Sequence, residues 1–243
     1  MKKMADFKVI CNRQLAHDTF LMTLSGKVDF HPIPGQFVNI KINGCYLRRP
    51  ISICDFNDHS INLIYKVVGQ GTKILSEANP GTKFNLLCGL GNGFQPHLAS
   101  GRIVLVGGGV GAAPLYNLAR ELKARNANFC AVLGWRSADQ VFYAEEFADL
   151  CKTYIATDDG KIGERGYVTD ILKNSSYDYY FACGPYQMLK GVHSLGKAGQ
   201  ISLEERMGCG FGACMGCSCR TAQGSKRICV DGPVFFDDEV IFK

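Results

Sequence analysis

Residues 102–114 read RIVLVGGGVGAAP, an unbroken apolar run that passes straight into a glycine cluster. Ile103, Val104, Leu105 and Val106 do not alternate with polar residues, which suits a strand covered on both faces of a parallel sheet. Gly107, Gly108, Gly109 and Gly111 then turn the chain into a helical pattern over 115–124. The alternation continues. Strands are expected at 129–135, 152–157 and 179–183, and helices at 145–151, 167–173 and 185–197. This is the grammar of a doubly wound parallel α/β domain. Glycine at a strand–helix corner lets the backbone approach an anion. The free N–H groups and dipole of the helix start favour a pyrophosphate there. Gly107, Gly108, Gly109 and Gly111 are therefore candidate nucleotide contacts. The run departs from G-x-G-x-x-G, and a tight turn that binds nothing is the competing reading.

Upstream, residues 1–99 follow a different rule. Short branched or aromatic segments at 7–11, 19–24, 37–42, 51–53, 60–67 and 83–87 are punctuated by Gly26, Pro32, Pro34-Gly35 and Asn43-Gly44. Six short strands at even spacing predict a small antiparallel β-barrel, with one short helix at 72–78 stopped by Asn79-Pro80-Gly81. The boundary with the α/β domain, placed at 100–200, falls near Ala99-Ser100-Gly101. Arg48-Arg49-Pro50-Ile51-Ser52 lies on this barrel, with Ile64-Tyr65-Lys66 and Gly69-Gln70-Gly71-Thr72 after it. An arginine, a rigid proline and a serine on one strand suit a flavin ring and its phosphate, and Gly71-Thr72 opens the short helix. A solvated charge patch is the plainer reading of the Arg-Arg pair.

Downstream, residues 201–243 form a third unit. A strand expected over 201–207 leads into residues 207–230, MGCGFGACMGCSCRTAQGSKRICV, which hold five of the chain's twelve cysteines. Cys209-x4-Cys214-x2-Cys217, then Cys229 after eleven intervening residues, is the plant-type spacing for a [2Fe–2S] cluster. Gly208, Gly210, Gly212, Ala213 and Gly216 let the loop wrap closely and turn its N–H groups inward. A structural zinc site normally shows two C-x2–4-C pairs, and nothing marks the chain as secreted and disulfide-bonded. Cys219 faces the same way as Cys217 in an extended strand and is read as a bystander. A hairpin is expected between 218–221 and 227–230, around Gly224-Ser225.

Composition excludes several classes. The chain has 243 residues, 47% hydrophobic and 20% charged, and a net charge of +5. The basic residues form no block, so no nucleic-acid partner is expected. No apolar run reaches 18 residues and no signal-peptide pattern opens the chain, so neither a membrane nor export is expected. A cytoplasmic protein is the natural expectation. His17, His31, His59, His97 and His193 are scattered, with no nucleophile–base pair. That suits redox chemistry, where cofactors carry the hard step.

The order of the three sites resembles the ferredoxin–NADP reductase superfamily, whose barrel binds flavin and whose second domain binds a nicotinamide nucleotide. Cys183-Gly184, followed by Pro185, matches that family's cysteine–glycine pair beside the nicotinamide. With the C-terminal cysteines added, the whole chain resembles the electron-transfer subunits of class 1B, NAD-dependent dihydroorotate dehydrogenase. The specific stretches are LRRPISI (47–53), GQGTK (69–73), GLGNGF (89–94), VGGGVGAAP (106–114), MGCGFGACMGC (207–217) and VDGPVF (230–235). The resemblance implies that Arg49, Pro50, Ile51, Ser52, Ile64, Tyr65, Lys66, Gly71 and Thr72 contact FAD. It implies NAD+/NADH at Gly107, Gly108, Gly109, Gly111, Cys183, Gly184 and Pro185, with Cys183 the one catalytic candidate. It makes Cys209, Cys214, Cys217 and Cys229 the ligands of a [2Fe–2S] cluster. It further implies an FMN-containing catalytic subunit as partner, in a two-plus-two heterotetramer of pyrimidine biosynthesis. There dihydroorotate reduces FMN, and electrons pass through [2Fe–2S] to FAD and on to NAD+. Phe211 and Met215 are then expected at the interface. NAD over NADP rests on the resemblance, because 135–139 offers both Arg136 and Asp139. The alternatives are the small flavin and iron–sulfur subunit of a related NAD(P)H reductase, of the ferredoxin:NADP oxidoreductase or sulfite reductase type, a zinc-stapled binding module, and a free-standing diaphorase.

Overall fold

The computed structural model describes residues 2–28 and 31–243. Strands β1 (Lys3–Ala16), β2 (Thr19–Ser25), β3 (Phe37–Ile40), β4 (Arg49–Asn57), β5 (Ser60–Lys66) and β6 (Lys83–Leu90) close into an antiparallel barrel of order β1-β2-β5-β4-β3-β6. Alternation puts Phe7, Val9, Met22, Leu24, Val38 and Ile40 inside, all at 1% exposure or less. β1 is far longer than the expected 7–11, because register shifts at Val9/Cys11 and Gln14/Ala16 let one strand bend round the barrel. Helix α1 (Gln70–Ser76) starts two residues earlier than expected. Its carbonyl end is held by Asn12, whose Nδ2 donates to the carbonyls of Leu75 (2.9 Å), Ser76 (3.2 Å) and Ala78 (2.9 Å).

The second half is a parallel sheet with one reversed edge. Its elements in chain order are β7 (Ile103–Gly108), α2 (Ala112–Ala124), β8 (Phe129–Trp135), α3 (Ala144–Ala148), β9 (Lys152–Thr157), β10 (Glu164–Arg165), α4 (Val168–Lys173), β11 (Tyr179–Cys183), α5 (Tyr186–His193) and β12 (Ala198–Ser202). Strand order is β10-β9-β8-β7-β11-β12-β15, where β15 (Val234–Phe236) comes from the C-terminus and runs antiparallel to β12. β8, β9 and β11 fall on the expected residues; for β8 and β11 a continuous apolar run leaves no other phase. The helix expected at 145–151 stops at Ala148.

Two expectations near the C-terminus are corrected. The strand placed at 201–207 is β12, which ends at Ser202 and pairs in parallel with β11. Gly199 hides this strand from a pattern reading. It has no side chain because a Cβ there would strike the Tyr180 ring. The hairpin pairs β13 (Ser218–Thr221) with β14 (Gly224–Arg227), not with 227–230, and turns at Ala222-Gln223. Thr221 fixes that turn: its Oγ1 donates to the Gly224 carbonyl (2.9 Å) and accepts from the Gln223 N–H (3.3 Å).

The three parts share cores. Leu21, Cys54, Ile64 and Phe94 of the barrel side pack with Leu115, Leu118 and Phe181. Cys217, Ile228, Cys229, Phe235 and Val240 pack with Val104, Val106 and Ile201. Arg120 of α2 also pairs with Asp55 of β4. Among the described residues, no helix is long and apolar enough to cross a membrane.

Candidate redox site

A cleft of about 360 Å³ opens between the barrel and the α/β unit. Arg49, Pro50, Ile51 and Ser52 of β4, Ile64, Tyr65 and Lys66 of β5, and Thr72 of α1 line it. These are eight of the nine residues expected to meet FAD. The ninth, Gly71, lies behind them, where a Cβ would run into the Arg49 guanidinium. Glycine there gives the cation its place beside the helix start. Thr72 Oγ1 accepts from the N–H groups of Val68 (2.9 Å) and Gly69 (3.2 Å) and donates to the Gly69 carbonyl (3.0 Å). The Tyr65 hydroxyl donates to Asn12 Oδ1 at 3.1 Å, and burial raises its phenol above the ordinary range. Both side chains are thus neutral and fixed. Arg48 stands apart from its neighbour. Its guanidinium donates to the carbonyls of Asn39 (3.1 Å) and Asn85 (2.9 Å) and to Asn85 Oδ1 (2.7 Å), tying β3 to β6.

The facing wall draws on stretches read from the sequence for other reasons, and on 202–205, which carried no functional signal. It comprises Val110 and Pro114 after β7, the segment Ser202, Leu203, Glu204, Glu205 and Met207, and Pro233. Glu204 is an exposed residue of this wall whose carboxyl is crowded by neighbouring protein. The resulting desolvation raises its carboxyl above the usual carboxylate range.

A second cleft, of about 460 Å³, lies where β7 and β11 end side by side. Chain order reverses between those strands, which is where open α/β sheets hold ligands. Of the expected nucleotide contacts, Gly108, Gly109 and Pro185 line it. The others pack behind. A Cβ on Gly107 would meet Leu133 and Ala112, one on Gly111 the Cys183 carbonyl, and one on Gly184 would meet Gly108 and Met188. Small residues thus bring the two strand ends together. Cys183 is 2% exposed. Burial, then the nearby Glu204, push its thiol far above the ordinary range against a hydrogen bond from Ser202. It is an un-ionised thiol at neutral pH. The remaining lining includes Trp135, Arg136, Gln140, Asp158, Tyr167 and Met188, of which Trp135 and Arg136 belong to the 135–139 loop singled out from the sequence. Asp139 instead accepts from the Ser137 hydroxyl at 2.5 Å.

In the cysteine loop, main-chain N–H groups point at sulfur. Ala213 N–H donates to Cys209 Sγ (3.2 Å), Cys209 N–H to Cys214 Sγ (3.4 Å) and Cys229 N–H to Cys217 Sγ (3.4 Å). Positive φ at Gly210 (76°), Gly212 (98°) and Met215 (58°) bends the backbone into this nest. Burial pushes the Cys209 thiol up, but the N–H groups of Phe211, Cys214 and Ala213 outweigh it and bring the group down to about 6. Cys229 goes the other way, up to about 12, through burial and then the closeness of Cys217 and Cys209. Cys209 is thus linked to Cys214 and Cys217 to Cys229, with Cys229 in electrostatic reach of Cys209; among the described residues no three such groups converge on one point, and a [2Fe–2S] cluster on four cysteines needs only two thiolates per iron. Backbone N–H groups that solicit anions beside mutually crowding thiols suit a multiply charged, thiophilic centre, so the donor set fits [2Fe–2S]. Cys219 sits on β13 opposite Lys226. Cys209 follows Met207 of the first cleft by two residues, so one segment serves both places.

Comparison with known proteins agrees with this geometry. The model for the iron–sulfur cluster binding domain of dihydroorotate dehydrogenase B matches residues 204–241, and that for the oxidoreductase NAD-binding domain matches residues 105–194. The electron transfer subunit of dihydroorotate dehydrogenase B (NAD(+)) from Geobacillus sp. (strain WCH70) is 42% identical, over 99% of this chain and 100% of its own. The same subunit from Fusobacterium nucleatum is 40% identical over 98% of both chains. Among solved structures, one described by the NADH-dependent reduced ferredoxin-NADP oxidoreductase superposes with a TM-score of 0.90 at 30% identity, covering 98% of this chain and 90% of that one. A ferredoxin NADP+ reductase from Neisseria gonorrhoeae, solved with FAD and NADP, shares the fold at 15% identity and a TM-score of 0.69 over 79% of this chain and 89% of its own. With two clefts and a nest of spaced cysteines built on shared cores, and near-full-length relatives above 40% identity, the chain belongs to the family of electron-transfer subunits of NAD-dependent dihydroorotate dehydrogenase B.

Proposed function

We propose that residues 1–99 hold FAD at Arg49–Ser52, Ile64–Lys66, Gly71 and Thr72, that residues 100–200 hold NAD+ across Gly107–Gly111 and Cys183–Pro185, and that residues 201–243 hold [2Fe–2S] on Cys209, Cys214, Cys217 and Cys229. When bound, the flavin exchanges electrons in pairs with NAD+ and singly with the cluster, which connects it to the FMN of a dihydroorotate-oxidising catalytic subunit. The chain's own residues do the positioning. Arg49 and Lys66 supply positive charge for the flavin phosphates. Tyr65 and Thr72, locked by Asn12 and Gly69, give a rigid neutral wall. Gly108 and Gly109 offer bare backbone to a pyrophosphate. Buried Cys183 presents an uncharged, polarisable contact where the nicotinamide would lie. The carrying observation is the run from Ser202 to Cys209, whose first part walls the flavin cleft and whose last residue is the first cluster ligand.

We place Phe211 (45% exposed) and Met215 (56% exposed) at the catalytic subunit's docking face. Among the described residues no cysteine is in a disulfide, which suits the reducing cytoplasm. Two copies of each subunit complete the assembly. The test is an anaerobic spectrum with iron, sulfide and flavin assays on the chain alone and co-purified with the partner. FAD and cluster in stoichiometric amount, with dihydroorotate-dependent NAD+ reduction only in the complex, are expected. A second reading, the small subunit of a ferredoxin-NADP oxidoreductase, has the 0.90 superposition in its favour. Loaded cofactors without dihydroorotate activity in the complex would select it.

A further inference from the structure

Asn39 is the one polar side chain on β3, between Val38 and Ile40, and all three are fully buried. Val38 and Ile40 face the barrel interior, so Asn39 points outward, where the cysteine loop covers it. Its Nδ2 donates to the carbonyl of Cys209 at 3.3 Å. Gly210 makes that approach possible, because a Cβ there would run into Asn39 Nδ2. Its Oδ1 is buried and has no hydrogen-bond partner among the described residues. The backbone carbonyl of Asn39 is held by Arg48, and across the ladder Asn39 pairs with Pro50 in the proposed flavin strand.

For stability alone this is a poor choice. A buried strand position favours a branched apolar residue, and a half-satisfied amide carries an uncompensated desolvation cost. The amide is therefore present for what its donor does. Its positive end is fixed against the backbone carbonyl of the first cysteine of the nest, at a part-buried contact where dipoles act more strongly than in water. Reduction of a thiolate-bound iron–sulfur centre adds negative charge, which a nearby donor stabilises, so hydrogen bonds and burial set its potential.

We infer that Asn39 is a positioning residue that raises the reduction potential of the [2Fe–2S] site by pinning Cys209 and directing an amide dipole at it, an inference that rests on the cluster reading above. The same residue fixes the cysteine loop to the strand that carries Pro50, and so holds the two redox sites in one frame.

The test is Asn39→Leu in the co-purified complex, which removes the donor and keeps the number and branching of side-chain heavy atoms. Midpoint potential is read by dye-mediated titration, the cluster by EPR of the reduced protein, and the fold by thermal unfolding. The expected result is a lower cluster potential and shifted g-values, with unchanged flavin absorbance and a thermal midpoint equal to or above that of the parent. An unchanged potential and EPR spectrum would overturn the inference. So would a variant that loses stability or fails to assemble, because the amide would then be a structural group. Absence of any [2Fe–2S] signal in the reduced parent protein would instead sink the cluster reading itself.

Discussion

Gly71→Ala separates the flavin-binding role of the α1 start from its folding role, because the two respond with opposite sign. Gly71 is the second residue of α1, and no positive φ constrains it. Alanine is the better helix former by up to about 1 kcal/mol, so the substitution alone raises the thermal midpoint by about 2–4 °C in a chain of this size. The new methyl, however, meets Nε, Cζ and Nη2 of Arg49. These are the far end of a flexible side chain, so the protein yields cheaply by swinging the guanidinium out of the cleft. On the proposed FAD site this forfeits a charge-assisted hydrogen bond from Arg49 to the flavin phosphates, worth about 1.5–3 kcal/mol, or roughly a 10- to 150-fold weaker FAD affinity. FAD titration of the apoprotein by fluorescence quenching, alongside thermal unfolding, reads both quantities. A protein at least as stable as the parent without flavin, and clearly weaker in binding it, is expected. Parent-like FAD affinity would refute this expectation, and so would a stability loss, since the collision would then have fallen on the backbone.

Replacing Cys209, Cys214, Cys217 or Cys229 by serine should abolish the cluster's visible absorbance and EPR signal, whereas Cys219→Ser should retain full iron; iron loss in that variant would make Cys219 a ligand. Stopped-flow reduction of the bound flavin should be much faster with NADH than with NADPH, because Asp158 shares the nucleotide cleft with Arg136, and comparable rates would overturn the preference. Phe211→Ser with Met215→Ser should lower recovery of the catalytic subunit in co-purification while leaving cofactor content unchanged, and undiminished recovery would remove both from the interface. Asp178 accepts from the Arg102 N–H at 2.8 Å and from its Nε at 3.4 Å, contacts that hold the carboxyl below the ordinary range. Its folded-state value is depressed, so the stabilisation is present above the unfolded value of about 4 and is lost as pH falls below it. Asp178→Asn should therefore lower the thermal midpoint at neutral pH and converge on the parent in acid; a constant difference across pH would show that ionisation is not involved.

The strands that sequence reading placed correctly are those with one possible phase. Phe129–Trp135 and Tyr179–Cys183 are apolar throughout and bounded by polar residues, so only their ends were open. β12 was misplaced because Gly199 and Gln200 break its apolar run. Yet the first clears the Tyr180 ring, and the second bonds the backbone of Gln95 and the Tyr179 hydroxyl. Those are tertiary reasons, invisible to periodicity. β15 is three residues long and gains its place only by pairing with β12. Local signal fails where an element exists to complete something distant.

The site divides along the same line. Arg49, Pro50, Ile51 and Ser52, and the four spaced cysteines, are contiguous motifs whose chemistry can be read from residue type and spacing. The opposite wall of the cleft comes from some 150 residues further along; Met207 and Pro233 fall at stretches read from the sequence, but Ser202 to Glu205 carry no motif of their own. Its carboxylates mean nothing until the sheet edge brings them round. Asn39 is the sharpest case. In sequence it is a polar interruption of a strand, which a pattern reading counts against burial; in the fold it is fully buried with its donor on Cys209. A polar residue where stability prefers an apolar one is a signal only once the fold shows what it faces. Cofactor identity is thus written in short motifs, whereas the coupling between cofactors is written in contacts such as Asn39 to Cys209 that join parts of the chain 170 positions apart.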